Sequence, residues 1–155
     1  MADWPELTVA LSAADWWQQW QAASSAEDHY RLALLLDQRA RAAAAVGLVR
    51  PPDAERVLGE LIYAVQEQPQ HLDARLMLAE RYASRADANE EQTLNYRLLE
   101  AEQLEAALVL GAGPATGARL EAAYRQAAEL AQSRGQLAAA LDYLARAQRA
   151  AGHGD

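Results

Sequence analysis

The chain has 155 residues, a net charge of −8 and no cysteine; 52% of its residues are apolar, and alanine supplies 38 of these. Thiolate nucleophiles, disulfide scaffolds and thiolate-bound metals are excluded. The longest apolar runs fall far short of the roughly 20 residues that a membrane span requires, and one domain over 1–155 is the expectation at this length. Helix signals then follow one another along the chain. Ser12-Ala13-Ala14-Asp15 reads as a capping box that opens a short helix over 13–23. Ser25-Ala26-Glu27-Asp28 repeats the pattern and opens a long helix over 26–46, with Leu32, Leu36, Ala40 and Ala43 on one stripe and Gly47 as its stop. Pro51-Pro52-Asp53 reads as a break followed by a cap, and a third helix over 54–67 repeats Val57, Leu58, Leu61, Ile62 and Val65 at helical spacing. Pro69 ends it. A fourth helix is expected over 72–85, with Leu72, Leu76, Ala79 and Ala83 aligned. Asp87 is expected to cap a fifth over 88–110, whose stripe is Leu94, Leu98, Ala101 and Leu108. Gly111 to Gly117 forms a turn-rich loop. A sixth helix follows over 117–133, through Leu120, Tyr124, Ala127 and Ala131, and Gly135 breaks it. The seventh, over 136–151, carries Leu137, Ala140, Leu141, Leu144 and Ala147 as its stripe, and the tail 152–155 is expected to be loose. No strand pattern interrupts the series, so the fold class is all-α, and short connections set neighbouring helices antiparallel.

Charge narrows the partners. There are 22 acidic residues against 14 basic ones, and every base is arginine. Nucleic acids are held through cationic side chains on phosphate, so an acidic chain without a basic stripe is a poor nucleic-acid binder, and an anionic membrane surface is disfavoured in the same way. The acids are unevenly spread. Residues 1–28 hold Asp3, Glu6, Asp15, Glu27 and Asp28 with no arginine, and residues 87–105 hold six acids with Arg97 alone. This suits a cationic partner, although a solvated acidic face that keeps an alanine-rich protein dispersed is the simpler account. The N-terminus lacks the positive and apolar regions of a signal peptide, which makes a cytoplasmic location the expectation.

The pattern Tyr124-x-x-Ala127-Ala128-x-x-Ala131-x-x-x-Gly135-x-Leu137-x-x-Ala140-x-x-x-Leu144-x-x-Ala147 resembles a tetratricopeptide repeat. Ala128, Gly135, Ala140 and Ala147 match its tight positions, whereas Ala131 stands where the family has a large aromatic. Pro69-x-x-x-x-Ala74-x-x-x-Leu78-Ala79-x-x-Tyr82 looks like the junction between two such repeats, with Ala64 in the preceding second helix. The spacing departs from the family: Ala79 and Ala128 are 49 residues apart, against a period of about 34. The resemblance implies three antiparallel helical hairpins over 26–151 with an N-terminal capping helix within 1–24; a plain helical bundle is the alternative. It also implies a concave groove lined by the first helix of each hairpin. Carried over, Asp73, Leu76, Glu80 and Ala83 line it from one helix, and Ala122, Arg125, Glu129 and Gln132 from another. Family members that clamp a chaperone's C-terminal carboxylate use Lys and Asn, and with no Lys here that ligand is disfavoured.

Reactive constellations are thin. His29, His71 and His153 are far apart, and read as surface residues rather than metal ligands. Gly111-x-Gly113-x-x-x-Gly117 lacks both a preceding strand and a following Lys-Ser/Thr, so it reads as a helix connection in which Gly113-Pro114 stops one helix and starts the next. The serines sit in caps or helices, with no triad partner. Glu100, Glu102 and Glu105, near Arg97, read as helix-surface charges rather than an acid/base pair. Trp16, Trp17 and Trp20 crowd one short helix, either as a lid on the first hairpin or as a protein contact. The expectation is therefore a non-enzyme without cofactor or metal: an adaptor, scaffold or chaperone that holds a basic or amphipathic segment of another protein in the groove. The alternative is a structural subunit that self-associates, or docks into a larger assembly, through the tryptophan helix.

Overall fold

In the computed structural model, the structure describes residues 25–48 and 51–152. Six helices and no strand are found among them, so the chain is all-α where it is described. The helix expected over 13–23, which would make a seventh, lies outside the described residues. The chain divides between Ala74 and Arg75 into two compact units.

The first unit holds α1 (Ala26–Ala45), α2 (Pro51–Glu67) and the opening residues of α3 (Leu72–Ala88). Ser25 caps α1 as its spacing predicts: its hydroxyl accepts from the Asp28 N–H at 3.2 Å, and Glu27 and Asp28 place negative charge at the positive end of the helix. Gly47 closes α1 at φ +78°, a backbone region that glycine adopts freely. The N–H of Leu48 then reaches the Ala43 carbonyl, and the N–H of Gly47 reaches that of Ala44. Pro51 and Pro52 do not break the chain ahead of α2 but form its first turn. Proline has no N–H to lose there, and its fixed φ is already helical. Leu32, Leu36 and Ala43 of α1 and Val57, Leu61 and Val65 of α2 are buried on the stripes that the periodicity predicts, with Ala33 and Ala64 buried beside them, whereas Ala40, Leu58 and Ile62 of the same stripes are half-buried.

The second unit holds the rest of α3 together with α4 (Thr93–Val109), α5 (Pro114–Ser133) and α6 (Leu137–Gly152). α3 runs on to Ala88, so Asp87 lies inside it and does not cap the next helix. Asp87 instead accepts from the Arg97 guanidinium of α4. The turn over 89–92 is tied by the Thr93 hydroxyl, within bonding distance of the Ala86 and Asn89 carbonyls. Arg75 donates to Gln103 at 2.8 Å and the rings of Tyr82 and Tyr96 stack at 6.3 Å, so α3 and α4 run antiparallel. Gly111 at φ +97° and Gly135 at φ +75° end α4 and α5 with the same pair of back-reaching N–H bonds seen at Gly47. Pro114 starts α5 as Gly113-Pro114 predicts, but Gly117 belongs to that helix and is buried, not part of a loop. α5 packs on α4 and α6 on α5. The shared core joins Ala79, Ala101, Leu104, Leu120, Ala123, Tyr124, Ala147 and Ala150, with Leu98, Leu108 and Tyr143 against it. Five of these eight buried residues are alanines, whose small side chains let helix axes approach closely.

Candidate functional site

α6 departs from the pattern read in the sequence. Its inner face is made of Ala140, Ala147 and Ala150, which are buried, whereas Leu137 is 63%, Leu141 68% and Leu144 39% exposed. The stripe read as one core face is therefore two faces. The alanines are spaced to meet α5 closely, and the three leucines, at i, i+4 and i+7, form a separate apolar stripe along the helix. Ala138, Ala145 and Gln148 border this stripe, and none of them is charged. Fully burying a leucine is worth about 1.5–3 kcal/mol, and at the exposures of Leu137 and Leu141 more than half of this is unrealised.

The expected groove residues are placed as follows. On α3, Leu76 and Ala83 are half-buried while Asp73 and Glu80 are exposed. On α5, Ala122, Arg125, Glu129 and Gln132 are exposed, and Arg125 pairs with Glu121 one turn earlier at 2.8 Å. No hydrogen bond or ion pair among the described residues joins the two sets. Trp16, Trp17, Trp20 and His153 lie outside the described residues.

A cleft of about 450 Å³ opens in the second unit between the end of α4, the start of α5 and the end of α6. Leu108, Val109, Ala112, Leu120 and Ala150 supply its apolar lining, and Glu105, Arg146 and Arg149 its charges. The Tyr124 hydroxyl donates to Glu105, the Arg146 guanidinium lies 5.9 Å from the centre of the Tyr124 ring, and Arg146 also pairs with Asp142 at 3.0 Å. Burial, reinforced by the Glu105 carboxylate, pushes the Tyr124 phenol above its ordinary value. Glu105 thus has a specific bond rather than a purely solvated charge. Glu100, read as a surface charge, is buried and pairs with Arg97 at 2.8 Å, because α4 turns that edge inward.

Two histidines read as surface residues are buried in the first unit and matched to carboxylates. His29 Nδ1 lies 2.5 Å from Glu60 Oε2, each side chain being 3% exposed, and the His29 ring sits 4.2 Å from that of Tyr63. Burial raises the Glu60 carboxyl above its ordinary value, against the pull of His29. His71 Nδ1 accepts the Ala74 N–H at 3.1 Å while its Nε2 lies 2.8 Å from Glu27 Oε2. An accepting Nδ1 carries no proton, so Nε2 carries it and donates to Glu27. His29 and Glu60 are 31 residues apart, and His71 and Glu27 are 44 apart, so no short motif announces either pair. Among the described residues, no group of three or more His, Asp or Glu side chains is placed to hold a metal ion, and no helix is long and apolar enough to cross a membrane. No protein-family model matches the chain, and neither a curated protein nor a solved structure matches it.

Proposed function

We propose that this chain is a non-enzymatic protein-interaction module, built of tetratricopeptide-like helical hairpins, that makes its contact through the leucine face of α6. The observation that carries this reading is the exposure of Leu137, Leu141 and Leu144 on one side of a helix whose other side already has its packing partner. Exposed apolar stripes of this kind mark interaction surfaces. An adaptor, scaffold or chaperone role fits such a surface.

The groove is the second reading. It is favoured by the half-buried Leu76 and Ala83 flanking the exposed Glu80 on α3, an arrangement suited to an amphipathic helix with basic flanks. One experiment separates the two. Wild-type protein, the triple variant Leu137→Ser/Leu141→Ser/Leu144→Ser and the double variant Glu80→Lys/Glu129→Lys are compared for the proteins they retain from a native lysate. The leucine-face reading expects the triple variant to lose specific partners that the double variant keeps. The reverse pattern would transfer the function to the groove, and retention by both variants would overturn both readings.

A further inference from the structure

We infer that the cleft between the end of α4, the start of α5 and the end of α6 binds a small monocarboxylate with an apolar body, such as a short aliphatic acid. Its volume of about 450 Å³ falls within the roughly 300–1,000 Å³ of small-molecule pockets, which join a mostly apolar lining to a few polar anchors. The apolar part of the lining includes Leu120 and Ala150, which are buried, and Val109, which is 88% exposed. An aliphatic chain laid in the cleft covers Val109, which the fold leaves in water, and apolar surface removed from water favours binding.

The charges on the lining choose the head group. Glu105 is engaged by the Tyr124 hydroxyl, and Arg146 by Asp142 at 3.0 Å. Arg149, the third charged side chain of the cleft, has no hydrogen bond or ion pair among the described residues. A guanidinium presents parallel N–H donors that match the two oxygens of a carboxylate. Glu105 limits the charge of the ligand: a phosphate-like dianion is repelled by it more strongly than a monoanion, and one free guanidinium neutralises one charge. A neutral apolar molecule leaves Arg149 unused, and a cation meets two arginines. The site is independent of the leucine face. At about 100° per residue, Arg146, Arg149 and Ala150 lie away from Leu137, Leu141 and Leu144 around α6.

The test is a titration of the isotope-labelled full chain with octanoate, octanol and octylammonium, followed by amide NMR shifts. Wild type is compared with Arg149→Gln, with Ala112→Phe, which fills the cleft, and with two controls. Arg134→Gln removes an exposed arginine at the far end of α5, and Leu141→Ser interrupts the leucine stripe. Amide spectra of each free variant verify that it is folded. The inference expects saturable shifts for octanoate centred on residues 105–112 and 146–150, tighter binding of octanoate than of octanol, and weakest binding of octylammonium. Arg149→Gln is expected to weaken octanoate roughly 10-fold, the scale of one charge-assisted hydrogen bond, and to leave octanol unchanged. Ala112→Phe is expected to weaken both, and the two controls neither. Shifts that do not saturate, octanoate bound no better than octanol, or an equal loss in Arg149→Gln and Arg134→Gln would overturn it. Shifts centred on 137–144 and lost in Leu141→Ser would also overturn it, by moving the apolar site to the leucine face. None of these outcomes bears on the interaction reading, which the lysate comparison tests by itself.

Discussion

His71 holds two bonds that only one protonation state allows. Its Nδ1 accepts the Ala74 N–H, which places the side chain at the cap of α3, and its Nε2–H donates to Glu27 of α1. Capping oxygens or nitrogens that satisfy a first-turn N–H are worth about 1 kcal/mol. His71→Ala is expected to lower the stability of the first unit by about that amount or more, and His71→Asn, which keeps an acceptor at the cap, to recover part of it; urea melts of the three proteins check this. Glu60 gives a pH signature. Its folded-state carboxyl is raised, chiefly by burial, so its contribution to stability is present at low pH and lost as pH rises through the raised value. Glu60→Gln removes that loss. The melting temperature of the variant relative to wild type is expected to climb between pH 4 and pH 7, while a falling difference would mean that the His29 contact outweighs burial.

At the scale of the element, the helix ends and the alanine faces decide the architecture. Gly47, Gly111 and Gly135 all close their helices at positive φ. Gly111→Ala meets no steric neighbour, so its cost is the backbone strain alone, about 1 kcal/mol. Gly59 is the contrasting case: it sits inside α2 with open space at its Cβ position and no positive φ, so Gly59→Ala is expected to stabilise by about 0.5–1 kcal/mol. Chemical denaturation of the two variants checks both signs.

Much of this was legible in the sequence, since the capping Ser25, stop glycines and leucine periodicity announce the helices directly. Three things were not. Proline pairs read equally as a break or as a first turn, and Pro51-Pro52 is the latter because their missing N–H groups fall where the helix has no acceptor to offer. Periodicity also cannot rank two apolar stripes on one helix. Leu137, Leu141 and Leu144 outweigh Ala140 and Ala147 on any hydropathy scale, yet the alanines face inward because the core of the second unit is built for close approach. The buried pairs of His29 with Glu60 and His71 with Glu27 were equally out of reach, because they join residues from different helices. The tetratricopeptide-like reading remains a proposal, supported by the small residues at the helix crossings.

For the whole molecule, charge and apolar surface pull in different directions. A net charge of −8 makes two copies repel at long range. An apolar contact through the leucine face, whatever its partner, acts only at short range. Raising salt screens such repulsion and leaves an apolar contact intact, so binding through the leucine face is expected to hold steady or strengthen between low and moderate salt. Weakening with salt, followed by sedimentation, would point to a charge-selected partner.

The interaction reading depends on which side of α6 faces water. Single cysteines at Leu141 and Ala147, placed in a chain that has no other thiol, read this directly through their rate of alkylation in dilute native protein. The account predicts that Leu141→Cys reacts close to the rate of an unfolded thiol, and that Ala147→Cys is slower by at least ~100-fold. A protected Leu141→Cys beside a freely reacting Ala147→Cys would contradict it.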